Sequence, residues 1–197
     1  TPQSKIDSVS ELIAQAELRV DQFWGGKTCN PKFIYCATEA DFAKYGSDQD
    51  VPAVTVMKLG SYIVLSNDGL DPDIIAHEMA HAELYERIGF YAQAFKIPTW
   101  FSEGLAMQCD GRDYYSEDTL RAKSDNFENL PDVKKLIAAG DFHAGTREEV
   151  MLNYMTAKHE VKEWYSPVKL KTLIERLNAG ASFEKAYAAS GRDLNED

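Results

Sequence analysis

The sequence predicts an α+β fold, with a small N-terminal sheet packed on one central helix, followed by a mainly helical C-terminal half. Three observations predict it. Short β-rich runs fall before residue 67, helix-start signals dominate after residue 70, and the segment His77-Glu78-Met79-Ala80-His81 lies on a helix between the two regions. The length of 197 residues suits a single domain. We read it as a sheet-containing part over 1–70, a pair of helices over 71–109 and a helical part over 110–197.

In chain order, Ser8-x-x-Glu11 forms a capping box ahead of Leu12, Ala16, Val20 and Phe23 at helical spacing, and Gly25-Gly26 ends that helix. Lys32 to Ala37 is short and β-rich, so it predicts a strand, and Thr38 then caps a brief helix ending at Gly46. Val51 to Met57 and Ser61 to Ser66 read as two strands joined by a tight turn at Leu59-Gly60. Pro52 suits an edge strand better than a sheet centre. After the turn Asn67-Asp68-Gly69, Asp71 as N-cap and Pro72 at the first helical position open a helix that carries the HEMAH segment to about Gly89.

Pro98 starts a helix carrying Trp100 to Gln108, and Asp110 to Asn129 is a polar connection with one helical turn after Ser116. Leu130-Pro131 predicts a short helix ending near Gly140. Thr146-x-x-Glu149 is a second capping box, for a helix to about Tyr165. Ser166-Pro167 restarts helix to Asn178, and Ser182 to Ser190 forms another before Gly191.

Composition narrows the function. Acidic residues outnumber basic ones 32 to 21, and the formal charge of -11 argues against nucleic acid or an anionic membrane as partner. No apolar run is long enough to span a bilayer. The chain starts at Thr1 without a basic-then-apolar leader, which we read as loss of a targeting peptide or of other leading residues. The expected location is secreted or periplasmic, with a cytosolic one also compatible. Cys29, Cys36 and Cys109 match no metal-knuckle spacing. Two of them in a disulfide would fit an exported protein, and three buried thiols are the alternative.

The HEMAH segment carries the chemistry. Residues four apart on a helix differ by about 40° around its axis, so His77 and His81 share a face and can both ligate one zinc ion. Glu78 points about 100° away, out of easy ligation but within reach of a water beside the ion. Two ligands and a general base on one turn are what hydrolysis needs. A motif this short arises by chance in on the order of one chain in a few hundred of this size, so its context matters. Two of only four histidines fall in it, and Ile74, Ile75, Met79 and Ala80 around it are uncharged, as a buried helix requires.

Two histidines leave zinc short of a third protein ligand. Arg87 and Leu84 stand where the metzincin pattern needs histidine and glycine, which removes that class. Downstream, Trp100-Phe101-Ser102-Glu103-Gly104-Leu105-Ala106 sets a carboxylate in an otherwise apolar helix, costly to bury unless paired or metal-bound. Gly104 gains nothing over alanine as a helix former, so a close backbone approach explains it best.

HEMAH followed by WFSEGLA resembles the gluzincin metallopeptidases, in their peptidase-MA-like branch related to zinc aminopeptidases. The resemblance is specific over residues 71 to 107, and Leu177-x-x-Gly180-x-Ser182-Phe183-x-x-Ala186 is similar to the close of such domains. It implies a zincin-like fold, Zn2+ bound by His77, His81 and Glu103, and Glu78 as general base. The 21 residues between His81 and Glu103 suit the family. Glu83 departs from it, standing where a hydrophobic residue is usual, and the exopeptidase motif of the aminopeptidases is absent.

The resemblance further implies peptide or protein substrates bound extended along an edge strand, for which Val51 to Met57 is the candidate. A plain structural hairpin is the alternative. It also implies an oxyanion donor from the helical region, and Tyr154 holds the matching place. Its helical spacing with Val150, Ala157, Val161 and Trp164 equally fits a core tyrosine. His143, in a loop after Gly140, and His159, read as a solvated helix residue, are alternatives. A zinc hydrolase of non-peptide amides and a catalytically silent binding module are the competing functions.

Overall fold

The chain enters through α1 (Gln3–Trp24), which buries Ala16, Val20 and Trp24 at four-residue intervals. The computed structural model describes residues 3–47, 51–57 and 60–191. Ser8 lies inside α1 rather than capping it, because the residues before it continue the helix and a local capping preference yields to it. Gly25 (φ 66°) and Gly26 (φ 119°) end the helix as expected, and the Gly26 N–H donates to the Asp21 carbonyl at 2.9 Å.

Two compact units divide the chain, with the boundary between Arg87 and Ile88. In the first, β1 (Lys32–Tyr35), α2 (Glu39–Tyr45), β2 (Ala53–Met57) and β3 (Ser61–Leu65) follow α1. The strand order is β1-β3-β2, with β1 parallel and β2 antiparallel to β3. Central β3 is the most apolar, and Ile63, Val64 and Leu65 are wholly buried. One face packs Val54, Val56 and Val64 with Phe42 of α2 and Cys36. Thr38 caps α2 by accepting from the Asp41 N–H at 3.1 Å.

β2 is an edge strand, as Pro52 predicts, and the Pro52 carbonyl accepts from both the N–H and hydroxyl of Ser66. The predicted turn at Leu59-Gly60 falls partly outside the described residues. α3 (Pro72–Phe95) begins where predicted, its Asp71 carboxylate accepting from the Asp73 N–H at 2.7 Å. Arg19 of α1 forms an ion pair with Asp73. Ile75, Ala76, Met79 and Ala80 of α3 are buried. Gly89 (φ 75°, ψ 165°) interrupts the helix where the sequence predicts its end, and helix resumes to Phe95.

The second unit contains α4 (Thr99–Cys109), α5 (Glu117–Lys123), α6 (Ala139–Phe142), α7 (Arg147–Trp164), α8 (Pro167–Asn178) and α9 (Phe183–Ala189). Its core is aromatic: Phe101 meets Trp164 edge-on at 5.1 Å, and Trp164 stacks on Tyr187 at 5.3 Å. Gly104 is the close approach the sequence predicts, since a Cβ there would sit 2.5 Å from the Ala157 carbonyl oxygen of α7. Beyond α4, Arg112 donates to both carboxylate oxygens of buried Asp110, and the Lys158 ammonium donates to the Asp110 carbonyl at 2.7 Å.

The helix predicted from Leu130-Pro131 does not form. A single 3-10 turn, Val133–Lys135, is followed by α6, which starts at Ala139 and runs through Gly140 to Phe142. The physical reason lies at the start of α4: the carbonyls of Leu136 and Ile137 accept from the otherwise orphaned N–H groups of Trp100 and Thr99 at 3.1 and 2.8 Å. A helix through 136–137 would withdraw those carbonyls. All three cysteines are buried thiols rather than disulfide halves. Among the described residues, no helix is long and apolar enough to cross a membrane.

Candidate metal centre

His77 and His81 project from one face of α3, their rings 5.0 Å apart between centroids and steeply inclined at 78°. Their Nε2 atoms approach to 3.3 Å. Two nitrogens each about 2.0–2.1 Å from a tetrahedral zinc lie about 3.3–3.4 Å apart, so the observed separation matches one edge of such a coordination shell. His77 is buried and His81 half-buried, and an imidazole ligates in its neutral form. The donor set and its spacing therefore fit Zn2+.

Glu78 is half-buried on the adjoining face. Its Oε2 accepts a hydrogen bond of 2.7 Å from the hydroxyl of Thr55 on β2, and the same hydroxyl lies 2.8 Å from the Glu78 carbonyl oxygen. Thr55 of the edge strand thus bonds the HEMAH helix at the residue read as the base. Sequence reasoning missed Thr55. Its only trace there is a hydroxyl between Val54 and Val56 in an otherwise apolar strand.

Two residues beyond His81, the unexpected Glu83 is explained by its partners. Its carboxylate is fully buried and accepts from the N–H and hydroxyl of Thr28, the N–H of Cys29 and the Arg87 guanidinium, all within 2.7–3.0 Å. Burial pushes its pKa up, but the Cys29 N–H, Thr28 and Arg87 outweigh that and hold it below the usual value. Arg87 also donates to the Gly26 carbonyl at 2.6 Å and lies over the Trp24 ring. Glu83 and Arg87, four residues apart, fasten the histidine helix to the turn after α1. Nearby Cys29 has its thiol pushed up to about 12 by burial and by the Glu83 carboxylate.

No family model, curated protein or solved structure matches the chain.

The other candidate residues belong to the second unit. Glu103 is half-buried on α4, its Oε2 turned away from solvent, while its neighbours Trp100, Phe101, Leu105, Ala106 and Met107 are buried. Tyr154 of α7 is only partly buried, and its ring meets Phe142 edge-on at 4.9 Å. Its hydroxyl lies 3.1 Å from His143 Nε2, so two of the proposed oxyanion donors are joined to each other. His143 Nδ1 is 2.9 Å from the Ala139 carbonyl, which can only accept. In neutral His143 the proton is therefore on Nδ1, and Tyr154 donates to Nε2.

His159 is not the solvated residue expected. Its ring stacks on Phe127 at 4.9 Å and 10°, and its Nδ1 is 3.5 Å from Glu117. Glu117, His159 and Glu163 form a second cluster of potential ligands. Lys162 already pairs with Glu117, and this pairing leads in holding the Glu117 carboxylate below its usual range. We read that cluster as a surface ion-pair network.

Proposed function

We propose that this chain is a zinc-dependent metallopeptidase of gluzincin type with a zincin-like fold. The observation that carries the reading is the 3.3 Å approach of the His77 and His81 Nε2 atoms on a helix that also presents Glu78. Glu103 is assigned as third ligand from the sequence, as the carboxylate of the WFSEGLA segment. That set leaves a coordination position open, as catalytic zinc sites do, whereas structural sites close with four protein ligands.

Bound there, Zn2+ supplies a Lewis acid that polarises the scissile carbonyl and acidifies water. Glu78 takes a proton from the attacking water and returns it to the leaving amine. Tyr154 donates a hydrogen bond from its hydroxyl to the developing oxyanion, turning away from His143 to do so. The substrate is a peptide or protein segment laid extended along the edge of β2, whose outer main-chain groups would pair with it. The proposed setting is extracellular or periplasmic.

The test is cleavage of a peptide library by purified protein. The expected result is zinc-dependent cleavage that a chelator stops, zinc restores and Glu78→Gln abolishes without loss of zinc. Full turnover by Glu78→Gln would remove the base. Bound zinc without peptide cleavage would favour a non-peptide amide substrate or a silent binding module.

A further inference from the structure

On the face of the sheet carrying Thr55 its nearest neighbours, Ala53, Ile63 and Leu65, are buried and apolar, and Thr55 pairs across with Ile63. Valine would serve this position equally well as a β-former, as it does at 54 and 56. Threonine has the same branched shape and differs only by a hydroxyl, which costs free energy when buried without a partner. The one at residue 55 has two acceptors, both on Glu78: Oε2 at 2.7 Å and the main-chain carbonyl at 2.8 Å. Only one proton is available, and an ionised carboxylate is the stronger acceptor.

We infer that Thr55 is a positioning residue for Glu78. Its hydroxyl holds Oε2, which restrains the glutamate side chain and leaves Oε1 to meet water. The contact to the Glu78 carbonyl sets the distance between strand and helix at that residue, so hydroxyl and carboxylate stay in register. This role rests on the reading of Glu78 as general base. A misplacement of about 1 Å in a catalytic group can cost about 100-fold in rate. A partly freed glutamate should therefore lower turnover by a substantial part of that factor.

The experiment compares Thr55→Val, which keeps shape and loses the hydroxyl, with Thr55→Ser, which keeps the hydroxyl. Thr55→Val should lower kcat about 10- to 100-fold, with KM and zinc content nearly unchanged, and Thr55→Ser should recover most of the loss. A second readout needs no activity. In zinc-free protein, the drop in Tm from Thr55→Val should be clearly smaller in a Glu78→Ala background than in the parent. Undiminished kcat in Thr55→Val, failure of Thr55→Ser to recover it, or additive Tm losses overturns the assignment. A parent that cleaves nothing, or an active Glu78→Gln, overturns the reading of Glu78 and the positioning role with it. The zinc-free Tm comparison then still reports whether the contact exists, so the two failures are told apart.

Discussion

The Nε2 atoms of His77 and His81 face each other 3.3 Å apart across one turn of α3. With one proton between them this is an N–H···N hydrogen bond, and the same separation fits two nitrogens around one zinc ion. A ligand that binds only the folded chain stabilises it by mass action, by about 2.7 kcal/mol at a free concentration 100 times Kd. Zinc added to metal-free protein should therefore raise Tm by several degrees. His81→Ala should lose most of that rise, and an equal rise in both proteins would contradict the site.

Glu83 is a stability residue rather than a ligand. Removing one partner from a buried charged network costs about 3–5 kcal/mol, so Glu83→Ala should lower unfolding free energy on that scale in denaturant titrations. Because its folded pKa is depressed, its contribution is present above the ordinary carboxylate pKa and is lost as pH falls through the lower folded value. The stability gap between the parent and Glu83→Ala should therefore be full at pH 7 and narrow below about pH 4. A gap that widens on acidification would contradict the network.

Cys29 should resist thiol reagents. With the pKa pushed to about 12, its thiolate fraction at pH 8 is on the order of one in ten thousand. Labelling followed by peptide mass mapping should show Cys29 modified only after denaturation. Modification in native protein at the rate of an ordinary exposed thiol would contradict the burial and the Glu83 contact.

Gly104→Ala gives a test with opposed signs. Helix propensity alone predicts that alanine stabilises α4 by up to about 1 kcal/mol. The new Cβ would lie 2.5 Å from both the Ala157 carbonyl oxygen and a Val161 methyl, and overpacking of this kind costs about 1–3 kcal/mol. A lowered Tm is expected, and a raised one would show that α4 and α7 do not pack this closely.

Local signals located most of the elements. Ser166-Pro167 starts α8 and Thr146 caps α7, because a hydroxyl at the N-cap binds the N–H groups of the first turn wherever the chain is placed. Ser8 and Leu130-Pro131 misled because the outcome there depends on more distant residues: the helix upstream of Ser8, and the α4 N-terminus that takes the carbonyls of 136 and 137. In the site, His77, Glu78 and His81 were legible since helical periodicity alone places them together. Thr55 and the partners of Glu83 were not, since 23 and up to 55 residues separate them from the groups they bind. The joining of His143 to Tyr154 was likewise hidden, because it depends on how α6 meets α7.

The most direct test of the metal assignment is the zinc content of the purified protein after removal of loosely bound ions. About one zinc per chain is expected, kept in Glu78→Gln and lost in a His77→Ala, His81→Ala double variant. Absence of zinc from the parent, or full content in the double variant, would contradict it.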